Sequence, residues 1–175
     1  MALDAARLRS LVRDIPDYPT VGVTFRDITP LLADGPAFGQ VIHALSGHVA
    51  DHGVDRVLGI EARGFIVAAP VAHHLGAGFV PVRKAGKLPW AVAREEYTLE
   101  YGTDRLEIHR DAIPPGERVV IVDDVLATGG TAAAAIRLVE GLGGVVAGLA
   151  FVMELAALGG RRRLEGYDLV SVLTV

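Results

Sequence analysis

Apolar positions along this chain recur at two spacings, and the alternation between them predicts most of its elements. Leu8, Leu11, Val12 and Ile15 fall at helical spacing, with Asp4 placed to cap and Pro16 to stop, which predicts a first helix. The segment "FGQVIHALSGHVADH" predicts a second helix, and Val54–Ile60 a buried strand. "EARGFIVAAPVAHHL" reads as a turn entering a third helix, followed by the short strand "GFVPV". After "PPGE", Val119–Val122 predicts a strand that ends at an acidic pair, and "TAAAAIRLVEGL" predicts an Ala-rich helix ending near Gly141. "GVVAGLAFVMEL" and "YDLVSVLTV" supply two more apolar strands. Strands separated by helices predict an α/β fold with a mostly parallel sheet covered on both faces.

The middle of the chain breaks this rhythm. Arg83 to Glu96 mixes basic residues, Gly and Pro with few core candidates, and predicts a mobile loop. "YTLEY" and "DRLEIHR" then predict a hairpin around Gly102, with Thr98, Glu100, Leu106 and Ile108 near alternating positions. No internal repeat or low-complexity tract appears, and 175 residues suit one domain spanning 1–175.

Composition narrows the function classes. A formal net charge of −4 argues against broad adhesion to nucleic acid or anionic membrane, so any anion site must be local. The absence of cysteine leaves no disulfide framework and no thiolate metal site, which suits a reducing cytoplasm. The N-terminal stretch alternates charge with apolar residues and lacks the apolar run of a signal peptide or membrane span, so the expectation is a soluble cytoplasmic protein.

Candidate chemistry centres on "VVIVDDVLATGGT" at Val119–Thr131. In an open parallel sheet, ligands bind beyond the carboxyl ends of the strands, where Asp123 and Asp124 are expected. Inside a core strand, adjacent acids would force one carboxylate into apolar packing, whereas at the strand's end both can reach a ligand. Ala127, Thr128, Gly129, Gly130 and Thr131 follow with small side chains, hydroxyls and backbone amides free to converge at a helix start, an arrangement that binds phosphate. Carboxylates beside a phosphate cradle suit a ligand with hydroxyls next to its phosphate, such as a ribose 5-phosphate. A plain strand-turn-helix with Asp as a cap is the bland alternative, and the double acid weighs against it. No Lys follows the last glycine, as a Walker loop requires, and "GAGFVP" lacks the third glycine of a dinucleotide fingerprint.

This stretch resembles the phosphoribosyl pyrophosphate signature of the type I phosphoribosyltransferases. "FRDITPLL", "GIEARGF", "RKAGKLP" and "EEYTLEYGTDRLEIHRDAI" extend the resemblance over nearly the whole chain and point to the family's adenine-using branch. It implies a type I phosphoribosyltransferase-like fold, with a small N-terminal hood over about residues 1–33 and a mobile loop. It also implies transfer of 5-phosphoribosyl from phosphoribosyl pyrophosphate to adenine, giving AMP and pyrophosphate. Thr24, Phe25 and Arg26 would bind adenine, Phe25 by stacking, with Leu126 and Ala127 as the other wall. Asp123, Asp124 and Ala127–Thr131 would hold the phosphoribosyl group. Arg63, Gly64, Arg83, Lys84, Lys87 and Tyr101 would face the pyrophosphate, with a non-proline cis peptide near Ala62–Arg63–Gly64. Glu100 would be the general acid or base at the purine N7, on a loop that closes against water. Mg2+ is implied, held mainly by substrate and water, as is a homodimer in which Arg83 and Lys87 could serve the neighbouring subunit. Relatives acting on 6-oxopurines, xanthine or orotate, and a non-catalytic sensor on the same fold, remain as alternatives. Trp90 stands where many relatives carry glycine.

Three other patterns carry less. His48 and His52 have the offset of zinc ligands but Val49 stands where the metalloprotease acid belongs. "HRD" at His109–Asp111 lacks the rest of a kinase loop. "GGRRRL" at Gly159–Leu164 is expected as a solvated basic helix face.

Overall fold

A computed structural model describes residues 3–99 and 102–175. The chain opens with α1 (Ala5–Ser10), whose N-terminus is capped by Asp4 accepting from the Arg7 amide. It does not continue to Pro16: Arg13–Ile15 forms strand β1, which pairs antiparallel with β2 (Phe25–Asp27). Helical spacing of Leu11, Val12 and Ile15 was thus overridden by a partner twelve or so residues downstream, which local periodicity does not register. α2 (Thr29–Ala33) and α3 (Gly35–Val49) follow, then β3 (Arg56–Ile60), α4 (Arg63–Leu75) and β4 (Gly78–Lys84).

The expected mobile loop at Arg83–Glu96 shrinks to the connection between β4 and β5 (Val92–Leu99). β5 pairs with β6 (Gly102–His109) through a register running from Val92↔His109 to Leu99↔Gly102. The charges that made this stretch look like loop sit opposite each other across the ladder, Arg94 with Glu107 and Glu96 with Arg105. Both pairs are closed as ion pairs, at 2.7 and 2.6 Å. Cross-strand pairing of opposite charges stabilises a hairpin modestly, so a polar edge strand can hold without apolar alternation. β7 (Arg118–Leu126), α5 (Gly130–Gly141), β8 (Val145–Glu154), α6 (Gly160–Arg163) and β9 (Leu169–Thr174) complete the chain.

The main sheet has seven strands in the order β5-β6-β4-β3-β7-β8-β9. β4, β3, β7, β8 and β9 run parallel, while the β5–β6 hairpin is antiparallel at one edge. Alternating side chains feed two cores. Val57, Val120 and Val122 pack with α3 and α4 on one face, and Leu58, Val119 and Ile121 pack with α5 on the other. The chain leaves β3 for β4 on one side and β7 for β8 on the other. A crevice therefore opens between β3 and β7, the switch point where α/β sheets bind ligands.

Candidate active site

β7 does not stop before its acids. Its ladder with β8 continues from Asp123↔Phe151 to Leu126↔Glu154, because backbone pairing with the ten-residue apolar β8 is indifferent to side-chain charge. Its other neighbour ends sooner: pairing with β3 finishes at Gly59↔Val122. Asp123 and Asp124 therefore lie on a strand extension with one flank open, and the N-terminus of α4 moves into that gap. A Cβ on Gly64 would stand 2.5 Å from an Asp123 carboxylate oxygen, so only glycine lets the helix approach this closely.

Beyond β7, Gly129 takes a left-handed φ of 79° and starts α5. Asp123, Val125, Leu126 and the run Ala127–Ala132 line a cavity of about 70 Å³. That is room for one compact group at the amide-rich start of a twelve-residue helix, as phosphate binding requires. Thr128, Gly129, Gly130 and Thr131 are thus brought together as expected for such a loop.

A second cavity, of about 290 Å³, is lined by Val23, Thr24, Phe25, Arg26, Arg63, Asp124, Val125, Ala127 and Leu155. Its walls are mostly apolar side chains. β1 and β2 hold Phe25 over it, and Tyr18 braces the Phe25 ring edge-on at 5.4 Å between centroids. Leu126, expected as a wall of this slot, instead belongs to the α5-side core at 1% exposure. Adjacent strand residues face opposite ways, so Val125 faces the slot in its place. Leu155, reached from β8, joins it. Motif reading had no signal for Leu155, since only the β7–β8 ladder brings it alongside; the alternation rule could have chosen Val125.

The Arg63 side chain stands apart from the other basic residues. Its guanidinium lies 5.2 Å from the Phe25 ring centroid and its Nε 2.7 Å from Asp124 Oδ2. It thus bridges the apolar slot and the acidic pair rather than joining the other basic residues. Asp124 is 6% exposed, and its Oδ2 has a cationic neighbour but no aligned hydrogen-bond donor among the described residues. A buried carboxylate oxygen with spare acceptor capacity matches a hydroxyl-bearing ligand. Burial pushes the Asp123 carboxyl well above the usual range, and the adjacent Asp124 charge pushes it further. The Asp124 amide, donating to Asp123 Oδ1 at 2.9 Å, and Arg63 only partly offset this.

The remaining basic residues gather around an acid that the motif reading passed over. Glu61, whose peptide bond to Ala62 is cis, pairs with Arg83 at 2.9 Å and with Lys87, and accepts from the Lys84 amide at 3.1 Å. Burial alone would raise the Glu61 carboxyl, but these donors outweigh it and hold it below the ordinary carboxylate range. Lys84 turns instead to Asp104 on β6, at 3.0 Å, whose hydrogen bond and charge raise its ammonium above the usual value. Arg83 and Lys87 thus both pair with Glu61 of the same chain. Glu100 and Tyr101 lie outside the described residues.

The less promising patterns found ordinary roles. His48 and His52 approach Asp168 at 2.9 and 3.4 Å, and among the described residues no group of three or more His, Cys, Asp or Glu could hold a metal ion. The basic run at Gly159–Leu164 is not merely a solvated face: it forms α6, packed beneath the Gly129 turn.

Residues 31–173 match the family model of the phosphoribosyl transferase domain. The chain is 58% identical to an adenine phosphoribosyltransferase of Acidothermus cellulolyticus over 94% of its length and 93% of the relative's. It is 57% identical to one from Thermotoga neapolitana, over 95% of this chain and 98% of that one. Among solved structures, the adenine phosphoribosyltransferase of Thermoanaerobacter pseudethanolicus superposes with a TM-score of 0.95 at 50% identity, covering 98% of this chain and 99% of that one. The Saccharomyces cerevisiae adenine phosphoribosyltransferase, crystallised with an imino-altritol bisphosphate and adenine, superposes at 0.91 with 41% identity, covering 97% and 98% of the two chains. Sheet order, switch-point crevice and near full-length similarity agree, and the chain belongs to the adenine phosphoribosyltransferase branch of the phosphoribosyltransferase family.

Proposed function

We propose that this protein transfers 5-phosphoribosyl from phosphoribosyl pyrophosphate to adenine in purine salvage. One observation carries the reading: the apolar slot beneath Phe25 and the small amide-rich cavity share Val125 and Ala127, with Asp123 and Asp124 at their junction. A flat base, a sugar with free hydroxyls and a phosphate fit that sequence of environments in order.

In the reaction, adenine N9 bonds to C1 of the sugar, the C1–O bond to pyrophosphate breaks, and the N9 proton leaves. Charge separates as at any anomeric carbon, with oxocarbenium character on the ring and negative charge on the leaving group. Phe25 stacks on the base, a contact worth roughly 1–3 kcal/mol, and backbone groups of Thr24 and Arg26 read its edge. Asp123 and Asp124 take the ribose hydroxyls, and Ala127–Thr131 the 5′-phosphate. Arg83, Lys84 and Lys87, with Gly64 and Tyr101, face the pyrophosphate. Glu100 exchanges the proton at the purine N7. The carboxylate oxygens of Asp123 and Asp124 are the hard donors that magnesium accepts, so the donor set fits an ion held mainly by substrate and water. When bound, magnesium neutralises charge on the leaving group. The protein works in the cytoplasm as a homodimer.

Product formation with phosphoribosyl pyrophosphate, magnesium and a panel of adenine, hypoxanthine, guanine, xanthine and orotate tests this reading. AMP from adenine alone, abolished in Asp123→Asn/Asp124→Asn, is the expected result. Nucleotide from another base would move the specificity, and none from any base, despite measurable phosphoribosyl pyrophosphate binding, would move the protein to the sensor class.

A further inference from the structure

The basic run that the reaction does not use packs against the phosphate loop more tightly than any side chain would allow. Gly160, the first residue of α6, is buried, and a Cβ there would stand 2.2 Å from the Ala127 carbonyl oxygen, 3.0 Å from the Gly129 amide nitrogen and 3.0 Å from Leu126 Cδ1. The contact is reciprocal, since a Cβ on Gly129 would lie 2.8 Å from the Gly160 carbonyl oxygen. The closest approaches between α6 and the turn that starts α5 are thus backbone on backbone, with Leu126 Cδ1 and Arg163 Cβ beside them.

α6 is itself fastened. Arg161 reaches both carboxylate oxygens of the buried Glu154, at 2.6 to 3.1 Å, and donates to the Leu169 carbonyl at 3.2 Å. Ser171 adds a hydrogen bond to the same Glu154 oxygen at 3.2 Å. Leu164, just past the helix, is 2% exposed in the α5-side core. The strand ends of β8 and β9 therefore hold α6, and α6 holds the loop.

We infer that Gly160, with the Arg161–Glu154 bridge behind it, is a positioning element for the 5′-phosphate subsite: it sets the height of the Ala127–Gly130 turn without touching the substrate. This rests on the phosphoribosyl reading of that loop. Adding a methyl group at Gly160 requires the loop or α6 to yield by about 1 Å, and a misplacement of that size can cost about 100-fold when it disturbs a positioned group. Gly160→Ala is therefore expected to raise KM for phosphoribosyl pyrophosphate by about 10- to 100-fold while KM for adenine changes less than about threefold.

Titration calorimetry with ribose 5-phosphate and, separately, with magnesium pyrophosphate reads the loop apart from catalysis. Gly160→Ala should weaken ribose 5-phosphate at least about tenfold and leave pyrophosphate near its wild-type affinity. Gly39→Ala, where a Cβ meets nothing within 4 Å, controls for the substitution itself. Glu154→Gln/Arg161→Gln loosens the anchor without stranding a buried charge, and should show the same selective loss should Gly160→Ala fail to fold. Wild-type affinity for ribose 5-phosphate in either folded variant, or an equal loss for ribose 5-phosphate and pyrophosphate, overturns the inference. A wild-type protein that binds ribose 5-phosphate but forms no AMP would defeat the reaction and leave the loop test intact.

Discussion

Asp123 is the residue at which function and stability pull apart. Its carboxyl is raised by burial and by the Asp124 charge, so the folded state holds a proton that the unfolded chain releases. Between the unfolded and the folded value, stability falls as pH rises, and above both the full cost of the charged form remains. Asp123→Asn removes that cost while still accepting from the Asp124 amide. The variant should melt a few degrees above wild type at pH 7, since about 1 kcal/mol moves Tm by roughly 2–4 °C in a domain of this size. The gap should close as pH falls below the ordinary carboxylate range, while AMP formation is lost; thermal melts across pH check the first and a coupled assay the second. An unchanged or lower Tm at neutral pH would mean that the carboxylate is better compensated than its surroundings indicate. At Phe25, truncation to Ala should raise KM for adenine by about 5- to 150-fold, the kinetic equivalent of one stacked base, with KM for phosphoribosyl pyrophosphate little changed.

Two elements govern what surrounds the reacting centre: the connection between β4 and β5, and the hairpin that follows. Glu61 ties down the first through Arg83, Lys87 and the Lys84 amide. Its carboxyl is lowered in the folded state, so its contribution is present above the unfolded carboxylate value and lost as pH falls through the folded one. Glu61→Gln should accelerate tryptic cleavage at Lys84 and Lys87 at neutral pH, and the difference from wild type in thermal stability should vanish in acid. Equal cleavage rates in the two proteins at neutral pH would leave the tether without consequence. Glu100 follows β5 in sequence, and its replacement by Ala should lower turnover by about 10²–10⁴ with the circular dichroism spectrum unchanged. Element type was legible where period and length agreed, as in α3, α4, β3 and β8. It was not legible where the deciding partner lay far along the chain: β1 exists because Phe25–Asp27 returns beside it, and β5 because Glu107 and Arg105 answer Arg94 and Glu96.

Across the whole molecule, the site is assembled from β2, the start of α4, the end of β7 and the residue after β8, meeting where the sheet changes direction. The acids and the glycine-hydroxyl turn were visible as a motif because they are contiguous; Leu155 and Gly160 were not, because each reaches the site through a neighbouring strand or helix, and the role of Glu61 was not, because its partners Arg83 and Lys87 lie over twenty residues along the chain. An assembly of that kind leaves its cost with the free protein: two adjacent, largely buried acids share one guanidinium. Substrate supplies hydroxyl donors to them, so binding should stabilise the whole fold. At a ligand concentration of 100 Kd the linkage gain is about 2.7 kcal/mol, which translates to roughly 5–10 °C in Tm. Phosphoribosyl pyrophosphate with magnesium should raise the wild-type melting temperature by that amount. The same concentration should shift Asp123→Asn/Asp124→Asn by less than about 2 °C, because the double variant keeps the cavity but exchanges one carboxylate oxygen of each acid for an NH2 donor and loses the charge that strengthens the bonds to the ribose hydroxyls. Differential scanning calorimetry of both proteins decides it: equal shifts would place the ligand's grip in the phosphate loop alone and remove the acids from ribose recognition.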